Sequence, residues 1–318
     1  MRILITGIAG FIGSTTAERL LGDGHVVVGL DNLSTGHLDN VPNDLEFIEG
    51  DCADGDLIKS LGRFDACVHF AASIEAGESM DQPERYFANN VAASIRLFES
   101  LIETGTNRIV YSSTAAVYGN PVAVPIHEDA LVRPLSPYGA SKSLVEQSLE
   151  WLVARHRIRS AVLRYFNAAG GTARHPERHN PETHLIPIAL EVALGLREQF
   201  TLYGDDYDTP DGTCIRDYVH VTDLADAHVR AIGALQDHES FTVNLGTGVG
   251  SSNRRVIDVV RAITGRDIDV RIGARRAGDP AVAVASSEQA RNLLGWRPLH
   301  STVDEIISDA WRFHPLRS

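Results

Sequence analysis

Positive charge is in short supply in this sequence: 29 Lys and Arg face 42 Asp and Glu, a formal net charge of −13. A protein that grips nucleic acid or an anionic bilayer carries a basic stripe, so the balance argues against both partners. Any phosphate site must then be built locally, from helix N-termini and a few placed arginines. Cysteine is scarce as well. Cys52, Cys67 and Cys214 have neither paired nor metal-like spacing, which points to reduced thiols. No apolar run approaches membrane-spanning length. Ile3-Leu4-Ile5, behind Met1-Arg2, is too short for the apolar core of a signal peptide. Low-complexity tracts and internal repeats are missing too. The expectation is a cytoplasmic protein with no membrane or nucleic-acid partner.

What is present is ordinary globular composition, 43% apolar and 22% charged over 318 residues, enough for one large core or two lobes sharing a cleft. Ile3-Leu4-Ile5 reads as a buried strand. Thr6-Gly7-Ile8-Ala9-Gly10-Phe11-Ile12-Gly13 comes next, and then a helix through Leu21. Glycines between a strand and a helix let backbone approach a pyrophosphate at the helix N-terminus. A second strand, Val26 to Leu30, ends at Asp31, placed to hold ribose hydroxyls. The segment Asp31-Asn32-Leu33-Ser34-Thr35-Gly36 holds no cation for a 2′-phosphate, so NAD is expected rather than NADP.

Further strands are read at Leu45 to Ile48, Ala66 to Ala72, Arg108 to Tyr111 and Ala161 to Asn167, with helices between. Asp51, beside Cys52, faces an adenine or caps a helix. His69, between Val68 and Phe70, reads as a satisfied core histidine. The β-α-β order implies a parallel, doubly wound α/β sheet, a Rossmann fold, whose ligands lie beyond the strand C-termini. Beyond Gly170-Gly171 the texture becomes rich in Arg, His, Pro and Asn. A NAD-binding domain is therefore drawn over 1–169, with return segments near 217–248, and a smaller α/β substrate lobe over 170–318. His175 and His179 are four apart, but Pro176 opposes a helix and no carboxylate–histidine motif accompanies them, so no metal site is expected.

In Ser136-Pro137-Tyr138-Gly139-Ala140-Ser141-Lys142, Ser136 is a good N-cap and Pro137 suits the first turn of a helix. Tyr138 and Lys142 then share a face. A nearby ammonium favours phenolate, moving the free value of about 10 toward neutrality, where tyrosine acts as a base. Hydroxyls at Ser112-Ser113-Thr114 close a strand end nearby. An exposed i, i+4 pair is the plainer reading of Tyr-x-x-x-Lys taken alone.

Taken together these motifs resemble the UDP-glucose 4-epimerase family, a branch of the extended short-chain dehydrogenases/reductases. The resemblance covers essentially the full length. It is carried by the glycine turn, Asp31 to Gly36, His69-Phe70-Ala71-Ala72 with Gly77-Glu78-Ser79, and Ser112 to Gly119. The Tyr138–Lys142 segment and Arg164-Tyr165-Phe166-Asn167-Ala168-Ala169-Gly170 also match, as do Asn180 to Pro187, Tyr203-Gly204-Asp205-Asp206 and Asp211 to His220. It implies that Tyr138 takes the sugar O4 proton, that Lys142 holds the nicotinamide ribose and lowers the tyrosine pKa, and that Thr114 bridges O4 and the phenol. NAD contacts are implied at Gly7, Gly10, Phe11, Ile12, Gly13, Asp31, Asn32, Ser34, Thr35, Gly36, Asp51, Cys52, Phe70, Ala71, Ala72, Ser73, Asn89, Ser112, Tyr138, Lys142, Tyr165 and Phe166. The implied UDP-sugar contacts are Thr114, Ala115, Ala116, Tyr138, Asn167, His184, Leu185, Thr201, Leu202, Tyr203, Arg216, Tyr218, Arg276 and Asp279. Arg275 is left as a surface ion pair.

The implied reaction is reversible oxidation at C4 through a transient 4-keto sugar, interconverting UDP-glucose and UDP-galactose. Ala115 and Ala116 stand where a 4,6-dehydratase needs an acid–base pair, which argues against that rival. Ala283 falls where the family limits room at the sugar 2-substituent, so UDP-N-acetylglucosamine is an alternative substrate. The basic loop before His179 leaves UDP-glucuronate open. A non-catalytic NAD- or UDP-sugar-binding regulator is the alternative from another class. The resemblance also implies a homodimer through the helices at 89–103 and 138–155.

Overall fold

The computed structural model describes every residue except Asn180, Ala277 and Ser318; Asn180, the first residue of one expected motif, thus lies outside the described residues. The strands in chain order begin with β1 (Arg2–Thr6), β2 (Val26–Asp31), β3 (Glu46–Glu49), β4 (Ala66–His69), β5 (Arg108–Thr114) and β6 (Arg159–Tyr165). They continue as β7 (Asn167–Ala169), β8 (Phe200–Tyr203), β9 (Ile215–His220), β10 (Ser240–Leu245), β11 (Gly250–Ser252), β12 (Val270–Gly273) and β13 (Val282–Ala283).

Strands buried on both faces read as near-continuous apolar runs, and successive side chains part to opposite sides. Ile3 and Ile5 of β1 face one core with Val68, Val110, Leu163 and Val243, covered by Leu20, Leu224 and Trp296. Leu4 faces the other, with Val28, Cys67, Ile109 and Tyr111, beneath Phe98, Val145 and Leu149. The resulting seven-stranded sheet has the order β10-β6-β5-β4-β1-β2-β3, and all its pairings are parallel. The doubly wound fold expected from the sequence is therefore present. The strand order reverses between β1 and β4, so the crevice for a ligand opens where Gly7, Phe70 and Ala71 emerge.

Three differences from the sequence reading matter. First, β4 ends at His69. Second, the strand expected through Asn167 is two: β6 stops at Tyr165, and β7 pairs with β9 in a separate sheet that also holds β11 and β13. Third, the helix expected from Asn89 begins with Pro83–Tyr86, passes through a π-helical turn over Phe87–Ala92, and then runs as Ala93–Glu103. A π turn inserts one residue and rotates the helix beyond it, which brings Asn90 inside.

The remaining strands pack with Leu185–Ala193, Asn253–Thr264 and Val303–Arg312 around a separate apolar cluster of Ile186, Leu190, Phe200, Leu202, Val256, Val260 and Ile306. No helix among the described residues is long and apolar enough to cross a membrane. All three cysteines are free thiols.

Candidate active site

The glycine turn is shaped by backbone crowding. Gly7 has φ +72°, and a Cβ there would sit 2.6 Å from the Ala71 nitrogen; a Cβ on Gly13 would sit 2.2 Å from the Gly7 oxygen. Gly10 stands at the N-cap of the helix Phe11–Gly22 with no side-chain cap, so the first-turn N–H groups are left for an anion. Gly13→Ala must displace backbone, which costs about 1–3 kcal/mol. We expect a lower melting temperature and at least roughly tenfold weaker dinucleotide binding, read by calorimetry. Unchanged values would mean the contact is not tight.

Asp31 accepts hydrogen bonds from the backbone of Ala9 (2.9 Å) and Leu33 (2.8 Å), tying the glycine turn to the loop through Asn32, Ser34, Thr35 and Gly36. Burial raises its pKa and those two donors pull it back. Asp51 closes a local turn by accepting from Ala53 (2.8 Å); the residue that caps the following helix is Asp54, which corrects the capping alternative. Cys52 is half-buried, and its thiol is pushed up to about 12 by burial, reinforced by the charge of Asp51. His69 is the satisfied core histidine expected, between Thr6 (2.6 Å) and Ser94 (2.8 Å).

Asn89 is exposed and donates to Ser73 Oγ (3.1 Å) and Asn90 Oδ1 (3.2 Å). Its buried neighbour Asn90, which the sequence reading passed over, does the clamping. It accepts from Ser73 N (2.8 Å), donates to Ser73 O (2.9 Å) and reaches Ser141 Oγ (3.0 Å). Only the π turn distinguishes the two asparagines. On the other side of the crevice, Phe70 packs on His228 with ring centroids 4.6 Å apart, and the same imidazole meets Tyr165 Oη at 2.6 Å. Phe166 packs against the small cluster of Val117, Tyr118 and Ile126.

The helix Pro137–His156 starts as expected, Ser136 Oγ accepting from Gly139 N (3.2 Å). Tyr138, Lys142 and Glu146 recur at one-turn intervals on the side facing β5. Thr114 ends β5 and caps a short turn over Ala115–Val117. Lys142 is buried, donates to the Ser112 carbonyl (2.9 Å) and lies 5.1 Å above the Tyr111 ring. Burial lowers its pKa to about 7, against the pull of Glu146. Burial also pushes Tyr138 up to about 12, while the Thr114 hydroxyl draws it down and Glu75 adds to the rise. Desolvation disfavours both charged forms, and the group that favours the phenolate is Thr114. Glu75, unremarked in the sequence, is a carboxylate whose charge reaches both Tyr138 and His184.

In the second lobe, Leu185, Thr201, Leu202, Tyr203, Arg276 and Asp279 line one open cleft. Arg276 stacks over Tyr203 with its guanidinium carbon 4.0 Å from the ring centroid. Arg216 is held by the carbonyls of Ile215 (2.9 Å) and Pro280 (2.8 Å) and lies 3.3 Å from Asp279. Tyr218 is buried opposite Asn167 in the β9–β7 ladder. Arg275 pairs with Asp206 (2.6 Å) at the surface.

The histidines sort differently from the sequence reading. His175 Nε2 lies 2.9 Å from Glu18 Oε2, away from His179. His179 instead joins His184, Glu177 and Glu182 in a four-residue constellation. Burial pushes Glu177 up to about 7. Burial opposes the charge on His184, but the hydrogen bond to Glu182 and the nearby carboxylates outweigh it and raise its pKa to about 9. The carboxylates of Glu177 and Glu182 lie beside His179, although the sequence shows no regular carboxylate–histidine motif there. Two of the four residues were visible only as parts of other motifs.

A Rossmann sheet with an uncapped glycine turn, a half-buried tyrosine one turn from a buried lysine at the end of β5, and arginines on the facing cleft defines a dinucleotide-dependent protein of the short-chain dehydrogenase/reductase class. The chain belongs to the NAD dependent epimerase/dehydratase family, which matches residues 3–246. It is 45% identical over 320 residues to a UDP-glucose 4-epimerase of Halalkalibacterium halodurans, covering 99% of this chain and 96% of that one. The crystal structure of UDP-glucose 4-epimerase from Brucella ovis in complex with NAD superposes with a TM-score of 0.95 at 43% identity, covering 98% of both chains. The UDP-Glc/GlcNAc 4-epimerase of Campylobacter jejuni superposes with a TM-score of 0.87 at 39% identity, again over 98% of each chain.

Proposed function

We propose that this chain is an NAD-dependent isomerase that inverts C4 of a UDP-hexose, interconverting UDP-glucose and UDP-galactose through a transient 4-keto sugar. The observation that carries the reading is the half-buried Tyr138, with Thr114 as its hydroxyl partner and alanines at 115 and 116, facing a crevice that fits a dinucleotide. The fit rests on the crowded glycine turn, the uncapped helix start and the anchored Asp31. NAD would be held there and by Lys142, and when bound would supply a reversible hydride acceptor for the oxidation at sugar C4 and a positive charge that favours the phenolate.

The chain's own groups do the rest. Tyr138 Oη removes the O4 proton as C4 is oxidised and returns it after the sugar has turned over. Thr114 orients O4 and shares its hydrogen bond with the phenolate. Arg216 and Arg276 fork onto the diphosphate, with Asn167, His184 and Leu185 completing the grip. Binding energy concentrated on UDP leaves the sugar free to present either face. We read 1–169 with 217–248 as the cofactor-binding part and the remainder as the UDP-sugar lobe.

The purified protein, without added NAD, should convert UDP-galactose into UDP-glucose; absence of inversion with cofactor supplied would favour the silent regulator instead. Ala283, small and paired with Arg216 across β13–β9, favours a second substrate, UDP-N-acetylglucosamine. That arm of the assay fails if the N-acetyl sugar is left unchanged.

We further propose a cytoplasmic homodimer. Phe87, Ile95, Leu144 and Trp151 are large apolar side chains exposed on the Pro83–Glu103 segment and the helix Pro137–His156, Trp151 at 78%. Such a patch needs cover. Light scattering should give twice the chain mass, and Trp151→Glu should shift it toward one; a monomeric wild-type protein would end the idea.

A further inference from the structure

The loop between β7 and the helix Leu185–Ala193 carries a group of side chains that the epimerase reading does not use in full. His179 Nδ1 lies 3.6 Å from Glu177 Oε1 and 3.7 Å from Glu182 Oε2. His184 Nδ1 lies 2.8 Å from Glu182 Oε1 and 3.8 Å from Glu177 Oε1. A tetrahedral Zn2+ with bonds of about 2.0–2.1 Å needs ligand atoms roughly 3.4 Å apart. The observed separations straddle that value. Two imidazoles and two carboxylates are a donor set that suits Zn2+ and is poor for Mg2+ or Ca2+, which favour oxygen alone.

A second observation points the same way. The Glu177 side chain is only 6% exposed, and among the described residues its buried Oε2 has no hydrogen-bond partner. A buried carboxylate oxygen without a donor is costly unless something positive comes to it. Glu177 borders a small cavity that is mostly apolar, lined by Pro187, Leu190 and Phe313, with His314 as the other titratable side chain on its wall. The opposing carboxylate is already oriented, since Glu182 Oε1 accepts from the backbone of Thr183 (2.9 Å) and His184 (2.8 Å). Such outer bonds fix ligands in metal centres. The half-exposed His184 ring leaves a path for an ion from solvent.

We propose that Glu177, His179, Glu182 and His184 form a Zn2+ site that pins the 172–184 loop to the start of the helix Leu185–Ala193. The ion balances the two carboxylates and sets the position of Leu185 at the cleft. Coordination through Nδ1 leaves His184 Nε2 free. The site shares His184, and the neighbouring Leu185, with the proposed grip on UDP but includes none of Tyr138, Lys142 and Thr114, so metal binding can be read apart from C4 inversion.

Full-length protein stripped with a chelator and titrated with Zn2+ should bind one equivalent per chain and take up no Mg2+ there. Glu177→Gln and His179→Ala should each weaken Zn2+ binding by about 100-fold, the upper end of what loss of even an outer-shell partner does. Failure of the wild-type chain to bind Zn2+, or unaltered binding by both variants, overturns the proposal. Should either variant misfold, X-ray absorption on the wild-type zinc complex decides: a nitrogen/oxygen shell with two imidazoles supports the site, and sulfur scattering from a cysteine sinks it.

Discussion

Tyr138→Phe protein should purify with its dinucleotide and bind UDP as the wild-type chain does, while C4 inversion falls by roughly 10³-fold, within the span that one positioned acid–base group contributes. The change deletes a single oxygen. Packing is preserved, including the edge-on contact with Tyr86 at 6.5 Å between ring centroids. The losses are the acceptor for the O4 proton and the partner of Thr114. Retained turnover within tenfold of wild type would refute the mechanism, since no other described group combines this position with a titratable oxygen that can cycle. The pH dependence gives a second reading of the same group. Burial pushes the phenol up to about 12. A base that is protonated at neutrality must gain activity as pH rises, until it has ionised. A positive charge placed beside it by the oxidised cofactor moves that climb to lower pH. The wild-type rate should therefore rise with pH and then level, and residual activity in Tyr138→Phe should lack that limb.

The fold was largely legible because buried parallel strands leave an unmistakable apolar signature. Ile3 to Ile5 and Val26 to Leu30 could hardly be read otherwise, and the glycine turn fixed the segment between them. What the sequence left illegible depends on contacts between distant parts of the chain. Nothing in the run Ala161 to Asn167 reveals that hydrogen bonding passes from β5 and β10 to β9 after Tyr165, because that switch depends on partners far along the chain. Asn89 and Asn90 are identical as letters; a π turn decides which is inside. The surroundings of the Tyr138–Lys142 pair were not legible from spacing either. Spacing places the ammonium near the phenol, but desolvation of both groups is a property of the packed interior that a sequence does not show. The Glu177–His184 constellation was hidden because Pro176 opposes a helix, whereas here an irregular loop brings the four side chains together.

Arg164→Ala should be among the most destabilising single substitutions in this chain, lowering stability by about 3–5 kcal/mol, the usual loss when one member of a buried ion pair is removed. Arg164 sits on β6 between Ser113 of β5 and Asn244 of β10. Its guanidinium grips Glu146 with two bonds, Nε to Oε1 at 3.0 Å and Nη2 to Oε2 at 2.7 Å. Nη1 donates to Tyr118 Oη (2.8 Å) and to the Glu128 carbonyl (3.1 Å). Tyr118 passes the chain on to Asn244 (2.7 Å), and Ser113 donates to Glu146. Truncation to alanine leaves the Glu146 carboxylate buried with one weak donor where it had a fork, and leaves Tyr118 without half its partners. The effect on function comes from position. Glu146 lies one turn beyond Lys142, and Ser113 one residue before Thr114, so the network holds the helix Pro137–His156 against the end of β5 that bears the reacting groups. Chemical denaturation should show the loss, and turnover should fall with it even below the unfolding transition. The paired replacement Arg164→Met with Glu146→Leu separates the causes. It removes both charges and keeps bulk, so stability should largely return while turnover stays impaired, because Lys142 loses the carboxylate that supports its ammonium. If Arg164→Ala alone leaves the denaturation midpoint unmoved, the pair is dispensable and the β5 end is held by packing alone.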